Sequence, residues 1–192
     1  MRTAKTTLFD ELTGERKFLY KSEVDSLIQV AESGRKFKLR NSTLILTMFR
    51  HAFRVSELCD LQWKHISFNE KKMFVKRSKN GISKHQAIEG EEYTRLKDLK
   101  AASSSEYVFS SERGGKLDRG AISKLLERLG KIAGIEMKVH PHMLRHGCGY
   151  FMAVQGLPLY TIQSHLGHRD ASNTLIYVNT VGLPPATIDW NL

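Results

Sequence analysis

The sequence predicts a mainly α-helical fold with one small antiparallel β-sheet. Three observations lead there. Apolar residues recur at helical spacing over most of the chain, the stretch from Ile66 to Ile88 alternates instead, and no repeat, low-complexity tract or Pro/Gly-rich linker divides the 192 residues. With 41% of its residues hydrophobic, a chain of this length can bury one core.

The elements follow in order. Ser22 before Glu23 and Asp25 marks a helix start, and Gly34 its stop. Asn41 to Phe53 reads as a second helix with Leu44, Met48 and Phe49 on its buried side, and Val55 to Leu61 as a short third. Met73, Phe74 and Val75 are strand-like, and Asn80-Gly81 has the chemistry of a hairpin turn. Helices resume at Glu91 to Ala102. The next runs from a capping Asp118 to Ala133, with Ile122, Leu125, Leu126, Leu129 and Ile132 on one face and Gly134 as its end. Pro141 suits the first turn of a helix reaching Gln155, closed by Gly156. Two short helices, Leu159–Leu166 and Ser172–Tyr177, complete the series.

Charge narrows the function classes. The segment Arg35 to Lys84 carries 13 basic and three acidic residues, while the remainder carries 17 of each, so this segment holds the whole net charge of +10. A concentrated positive surface attracts polyanions by neutralising phosphates and releasing counterions. The bland alternative is a solvated face, and the segment lacks the sustained basic amphipathic helix of a membrane-surface binder. No run approaches the roughly 20 apolar residues of a membrane span, and Met1 to Lys21 has no apolar signal core. Cys59 and Cys148 stand in no metal or redox spacing, so a cytoplasmic setting is expected.

The densest chemical feature is His140-Pro-His142-Met-Leu-Arg145-His146, followed by His165-Leu-Gly-His168 and Tyr177; five of the eight histidines lie between 140 and 168. Zinc is one reading, because His142 and His146 have the spacing of a helical ligand pair, but Arg145 sets a fixed positive charge beside it. Phosphodiester cleavage is the other. Without a metal, arginine forks must hold the nonbridging oxygens. A general acid must protonate the leaving 5′ oxygen, and a base must relieve the nucleophile of its proton. A tyrosine phenol, with a pKa of about 10, forms a covalent phosphoester that conserves bond energy for rejoining. His142, Arg145, His168 and Tyr177 supply these types within 36 residues, and Arg54 and Lys79 complete the set.

Phe53-Arg54-Val-Ser-Glu57-Leu58, Ser78-Lys79-Asn80-Gly81, His142-Met-Leu-Arg145-His146 and Leu166-Gly-His168 through Thr174 to Tyr177 together resemble the boxes of the tyrosine recombinases, the phage integrase family, in order, type and spacing. The chain is similar in particular to the short fimbrial phase-variation DNA invertases of that family.

The resemblance implies a catalytic set of Arg54, Lys79, His142, Arg145, His168 and Tyr177. Tyr177 would attack and leave a 3′-phosphotyrosyl link, Arg54 and Arg145 would clamp the phosphate, and Lys79 would protonate the leaving group. His142 would assist proton transfer, His168 would bond the phosphate, and Glu57 would orient Arg54. It further implies a catalytic domain over 21–180 between a short arm, 1–20, and a tail, 181–192. No cofactor or metal is needed. The partners would be duplex DNA with inverted repeats, a homotetramer on that DNA and accessory DNA-bending proteins. His146 is expected to cap or pack within its helix, and Tyr150 and Tyr160 to lie on apolar helix faces. Position 52 is alanine where the family's first box commonly has glycine. The alternatives are a mobile-element integrase, a binding-only regulator of the same fold, and a type IB topoisomerase.

Overall fold

The computed structural model describes residues 7–78 and 81–182. Among them, eight α-helices surround one core, with a three-stranded sheet at one side. The helices are α1 (Lys21–Ser33), α2 (Lys38–Arg50), α3 (Val55–Cys59), α4 (Gly90–Ala101), α5 (Arg119–Ile132), α6 (Pro141–Val154), α7 (Leu159–Leu166) and α8 (Ser172–Val181); the strands are β1 (Ile66–Ser67), β2 (Lys72–Val75) and β3 (Lys84–Ala87). The sheet order is β1-β2-β3, antiparallel throughout, so the predicted fold class stands.

Helix ends follow local chemistry. Asp118 caps α5 by accepting from Gly120 and Ala121 N–H, and Pro141 opens α6. α1 begins one residue before Ser22, because Glu23 reaches back to the Tyr20 N–H at 2.8 Å while pairing with Arg16.

α2 differs most from its predicted form. Every residue from Asn41 to Phe49 is buried, not one stripe, because α1, α4 and α6 all pack on it. Two of its buried hydroxyls find partners inside, Ser42 donating to the Lys38 carbonyl and Thr47 to Glu92, at 2.9 and 2.8 Å, whereas the Thr43 hydroxyl has none.

The hairpin is also wider than Asn80-Gly81 alone suggests. The ladder closes at Val75–Lys84, leaving a loop from 76 to 83 in which the Gly81 N–H bonds the Ser78 carbonyl. The segment before α1 folds onto the core, burying Leu8, Phe18 and Leu19. Leu19 N–H bonds the Met143 carbonyl, and its own carbonyl lies 2.5 Å from where a Cβ on Gly147 would sit, so α6 needs glycine there.

Candidate active site

The site is organised by a turn. α2 stops at Arg50, and Ala52 adopts φ +51, the left-handed region that glycine occupies without strain. This conformation turns the His51 and Ala52 carbonyls inward, where two buried arginines meet them. Arg77 donates to the Ala52 carbonyl at 3.0 Å and to the His51 carbonyl at 2.8 Å, and Arg145 donates to the same Ala52 carbonyl.

The chain then enters α3 through Arg54, whose N–H and guanidinium both bond Glu57, at 3.0 and 2.7 Å. Glu57 further accepts from Arg77 at 3.1 Å and from the Ser78 N–H at 2.9 Å. Burial opposes ionisation of Glu57, but the N–H groups of Ser78 and Arg54 and the charge of Arg77 outweigh it and hold the carboxyl at about 2. The carboxylate therefore fixes Arg54 and the start of the hairpin loop together.

A second close approach completes this side. Arg145 and Arg77 also donate to the Leu166 and His165 carbonyls, at 2.8 and 2.7 Å, stitching the Ala52 turn to the end of α7. Gly167, at φ +70, lies so near the loop that an added Cβ would stand 2.8 Å from the Ile82 carbonyl. Ile82 N–H bonds the Gly167 carbonyl at 3.1 Å. The hairpin loop is thus pinned beside His168. Lys79 itself lies outside the described residues, between the placed Ser78 and Gly81. Arg145 spends two of its five donors on carbonyls and is only 4% exposed. Burial and the neighbouring charges of Arg54 and Arg77 pull its pKa down to about 10, still charged at neutral pH.

The histidines and Tyr177 form the other side. His142 is exposed on the first turn of α6, and its ring stands 5.6 Å from that of His146, one turn on. His146 Nδ1 lies 3.0 Å from the Tyr177 hydroxyl. The Tyr177 ring rests on Gly149, where a Cβ would come within 2.6 Å of it, and the residue is 1% exposed. Burial raises the phenol well above its ordinary value, against the lowering influence of Arg145. His168 is oriented by Thr174, fully buried, at 3.0 Å. Burial, then Arg145, Arg54 and Arg77, lower the His168 pKa to about 3, so it is neutral. Among the described residues no three His, Cys, Asp or Glu side chains gather as around a metal ion.

Arg54, Arg145, His168 and Tyr177 are therefore brought together, with His142 at the rim. Two participants were not singled out from the sequence. Arg77 stands beside Lys76 and Lys84 as an apparent surface cation, yet it is 7% exposed, because Met73, Val75 and Arg77 share the inward face of one extended segment. That period of two was the available signal. His146 contacts the tyrosine rather than merely packing within its helix. Of the rival tyrosines, Tyr150 stacks on Phe18 at 4.2 Å, whereas Tyr160 is 73% exposed instead of packed.

The sequence model of the phage integrase family matches residues 17–181. The type 1 fimbriae regulatory proteins FimB and FimE of Escherichia coli K12 are 36% and 34% identical over 169 and 171 residues. Each match covers 85% of this chain, with 84% of FimB and 85% of FimE. The crystal structure of XerA recombinase superposes with a TM-score of 0.74 at 28% identity, covering 84% of this chain and 59% of that one. This chain thus spans somewhat over half of the solved recombinase. Family model, relatives and fold agree: the chain belongs to the phage integrase family, that of the site-specific tyrosine recombinases.

Proposed function

We propose that this chain cleaves and rejoins duplex DNA through a 3′-phosphotyrosyl link at Tyr177 and inverts a promoter-bearing element controlling fimbrial or other surface genes. The observation that carries the reading is the convergence of Arg54, Arg145 and His168 around the Ala52 turn, with the Tyr177 hydroxyl at His146, the residue next to Arg145 on α6.

In this reading Arg54 and Arg145 hold the scissile phosphate, using the donors not engaged by Glu57 and the carbonyls. His168, neutral and fixed by Thr174, donates to a nonbridging oxygen. Lys79, on a loop anchored to Gly167, protonates the departing 5′ oxygen, and His142 assists proton transfer at the rim. No metal or nucleotide is required, because the phosphotyrosyl bond stores the energy for religation. Recombination would run in a homotetramer on paired inverted repeats, on the nucleoid in the cytoplasm, with DNA-bending proteins as accessory partners. The fimbrial role is supported by the likeness to FimB and FimE.

The test is to incubate the protein with nicked duplexes carrying its candidate inverted repeats and look for a covalent adduct. We expect an adduct with the wild type and none with Tyr177→Phe, while DNA binding persists. Tight binding to the true site without an adduct would turn the reading to a regulator.

A further inference from the structure

The family resemblance has His142 assist proton transfer, but another group touches the reacting oxygen. We infer that His146 is the catalytic base: its Nδ1, hydrogen-bonded to the Tyr177 hydroxyl, takes the phenol proton as the oxygen attacks phosphorus. This rests on the reading that Tyr177 is the nucleophile.

The geometry supports it from three sides. His146 Nδ1 is 3.0 Å from Tyr177 Oη, within reach for direct transfer. The ring of Tyr177 packs directly on Gly149, and a step of three residues back along the helix sets its hydroxyl at His146. His146 also follows Arg145 directly, so the base and the phosphate-holding arginine ride one rigid turn of α6.

The charges around the pair set the timing. Burial, then His142, Arg145, His140 and Lys17, lower the His146 pKa to about 4, so the ring is uncharged and able to accept at neutral pH. The phenol beside it is held protonated by burial, so with the proton on Nε2 the phenol donates to Nδ1. No phenolate forms before DNA arrives. Transfer accompanies formation of the P–O bond, which makes the phenol oxygen a far weaker base.

The balance is closed. The O–H bond of Tyr177 breaks and the Tyr177 O–P bond forms, while the P–O5′ bond breaks and the 5′ oxygen gains a proton from Lys79. His146 leaves the step as an imidazolium. In religation the 5′ hydroxyl attacks, its proton returns to Lys79, and His146 returns its own to the departing phenol.

The experiment measures single-turnover cleavage on a nicked duplex whose scissile 5′ oxygen is replaced by sulfur, a leaving group that needs no proton. His146→Asn places an oxygen near the position of Nδ1, retaining an acceptor that cannot take the proton; His146→Gln is its backup. Wild type should cleave with little pH dependence from about 7 to 9.5.

His146→Asn should be about 100-fold slower at pH 7, with unchanged DNA binding, and should recover about tenfold per pH unit as hydroxide replaces the base. A His146 variant within threefold of wild type, or one equally slow at every pH, would overturn the assignment to His146 and leave the Tyr177 reading intact. No adduct from the wild type would sink both.

Discussion

The arginine side of the site and the tyrosine side are built at very different densities. Arg77 makes four side-chain hydrogen bonds, to Glu57 and to the carbonyls of His51, Ala52 and His165, and Arg145 makes two more to carbonyls. Tyr177, by contrast, is held in place by one hydrogen bond to His146 and by its seat on Gly149. Apart from Tyr177, α8 buries only Thr174. The difference teaches a division of labour. A group that stabilises charge must be fixed before the reaction, because preorganisation is what makes it effective. A nucleophile that is 1% exposed must instead be uncovered when its phosphate arrives, so the α8 around it is held by fewer buried groups.

The comparison can be broken first at Arg145. Arg145→Ala removes a fork from the developing charge and leaves the Ala52 and Leu166 carbonyls without it. We expect single-turnover cleavage to fall by about 10³-fold or more, with the adduct assay as readout. Near-normal cleavage would remove Arg145 from the mechanism and leave the density of the arginine side without catalytic meaning.

Arg77 comes next, and its effect is expected in stability as much as in rate. Arg77→Met takes from the buried Glu57 one of its two cationic partners, leaving Arg54, and strips three carbonyls of their donor, a loss of about 3 kcal/mol, read as a fall of about 10 °C in Tm. Adding Glu57→Gln should recover part of the stability. It should not recover cleavage, because Arg54 loses its anchor as well. Full recovery of activity in the double variant would show that Arg77 serves only to neutralise Glu57.

Gly149→Ala attacks the lighter side. The added methyl meets the Tyr177 ring at 2.6–2.8 Å, so α8 must shift outward. A cost of about 1–3 kcal/mol is typical of such overpacking. Cleavage should fall while DNA binding is unchanged, since the arginine side is untouched. Wild-type cleavage by this variant would mean that the observed seat of Tyr177 is irrelevant to attack.

Acid should separate the two sides as well. Burial first, with nearby positive charge, lowers His146 and His168 to about 4 and about 3 from an ordinary 6.5. Below pH 6.5 the unfolded chain binds protons that the folded chain refuses, so stability is complete above that value and declines as pH falls toward 4. The slope is at most about 1.4 kcal/mol per pH unit for each histidine, less for their partial exposure. Glu57, at about 2, stays ionised throughout this window, so the arginine side outlasts the tyrosine side. Melting curves from pH 8 to 4, compared with His146→Asn, should show a shallower decline in the variant. An identical slope would mean that His146 contributes nothing to it.

What the sequence made legible follows the same division. Helices α5 and α6 carry their own signals, Asp118 as a cap and Pro141 at a first turn, so their positions needed no tertiary information. The residues Arg54, Arg145, His168 and Tyr177 were legible because phosphate chemistry calls for their types and because their order and spacing resemble the boxes of the family. Arg77 and His146 were not, because each differs from a surface residue only by what the fold places against it. α2 misled for a related reason: a helix packed on three sides has no polar face to show periodicity. The Ser42 and Thr47 hydroxyls, which suggest solvent, are satisfied inside.

The smallest expected effect tests the hinge between both sides. Ala52 carries a β-carbon at φ +51, a conformation that costs an alanine about 1 kcal/mol, yet its methyl is fully buried in the core. Ala52→Gly removes the strain but also a buried methyl worth about 0.8 kcal/mol, and it gives the unfolded chain more freedom. These contributions nearly cancel, so Tm should move by less than about 2 °C. The carbonyl that receives Arg77 and Arg145 keeps its direction, because glycine holds a left-handed turn at least as readily. Cleavage should therefore stay within about threefold of wild type. Ala52→Val, whose branched side chain resists positive φ, should instead swing that carbonyl away and lose cleavage. If the glycine variant lost tenfold and the valine variant none, the arginines would be anchored by the packing of the methyl and not by the backbone oxygen.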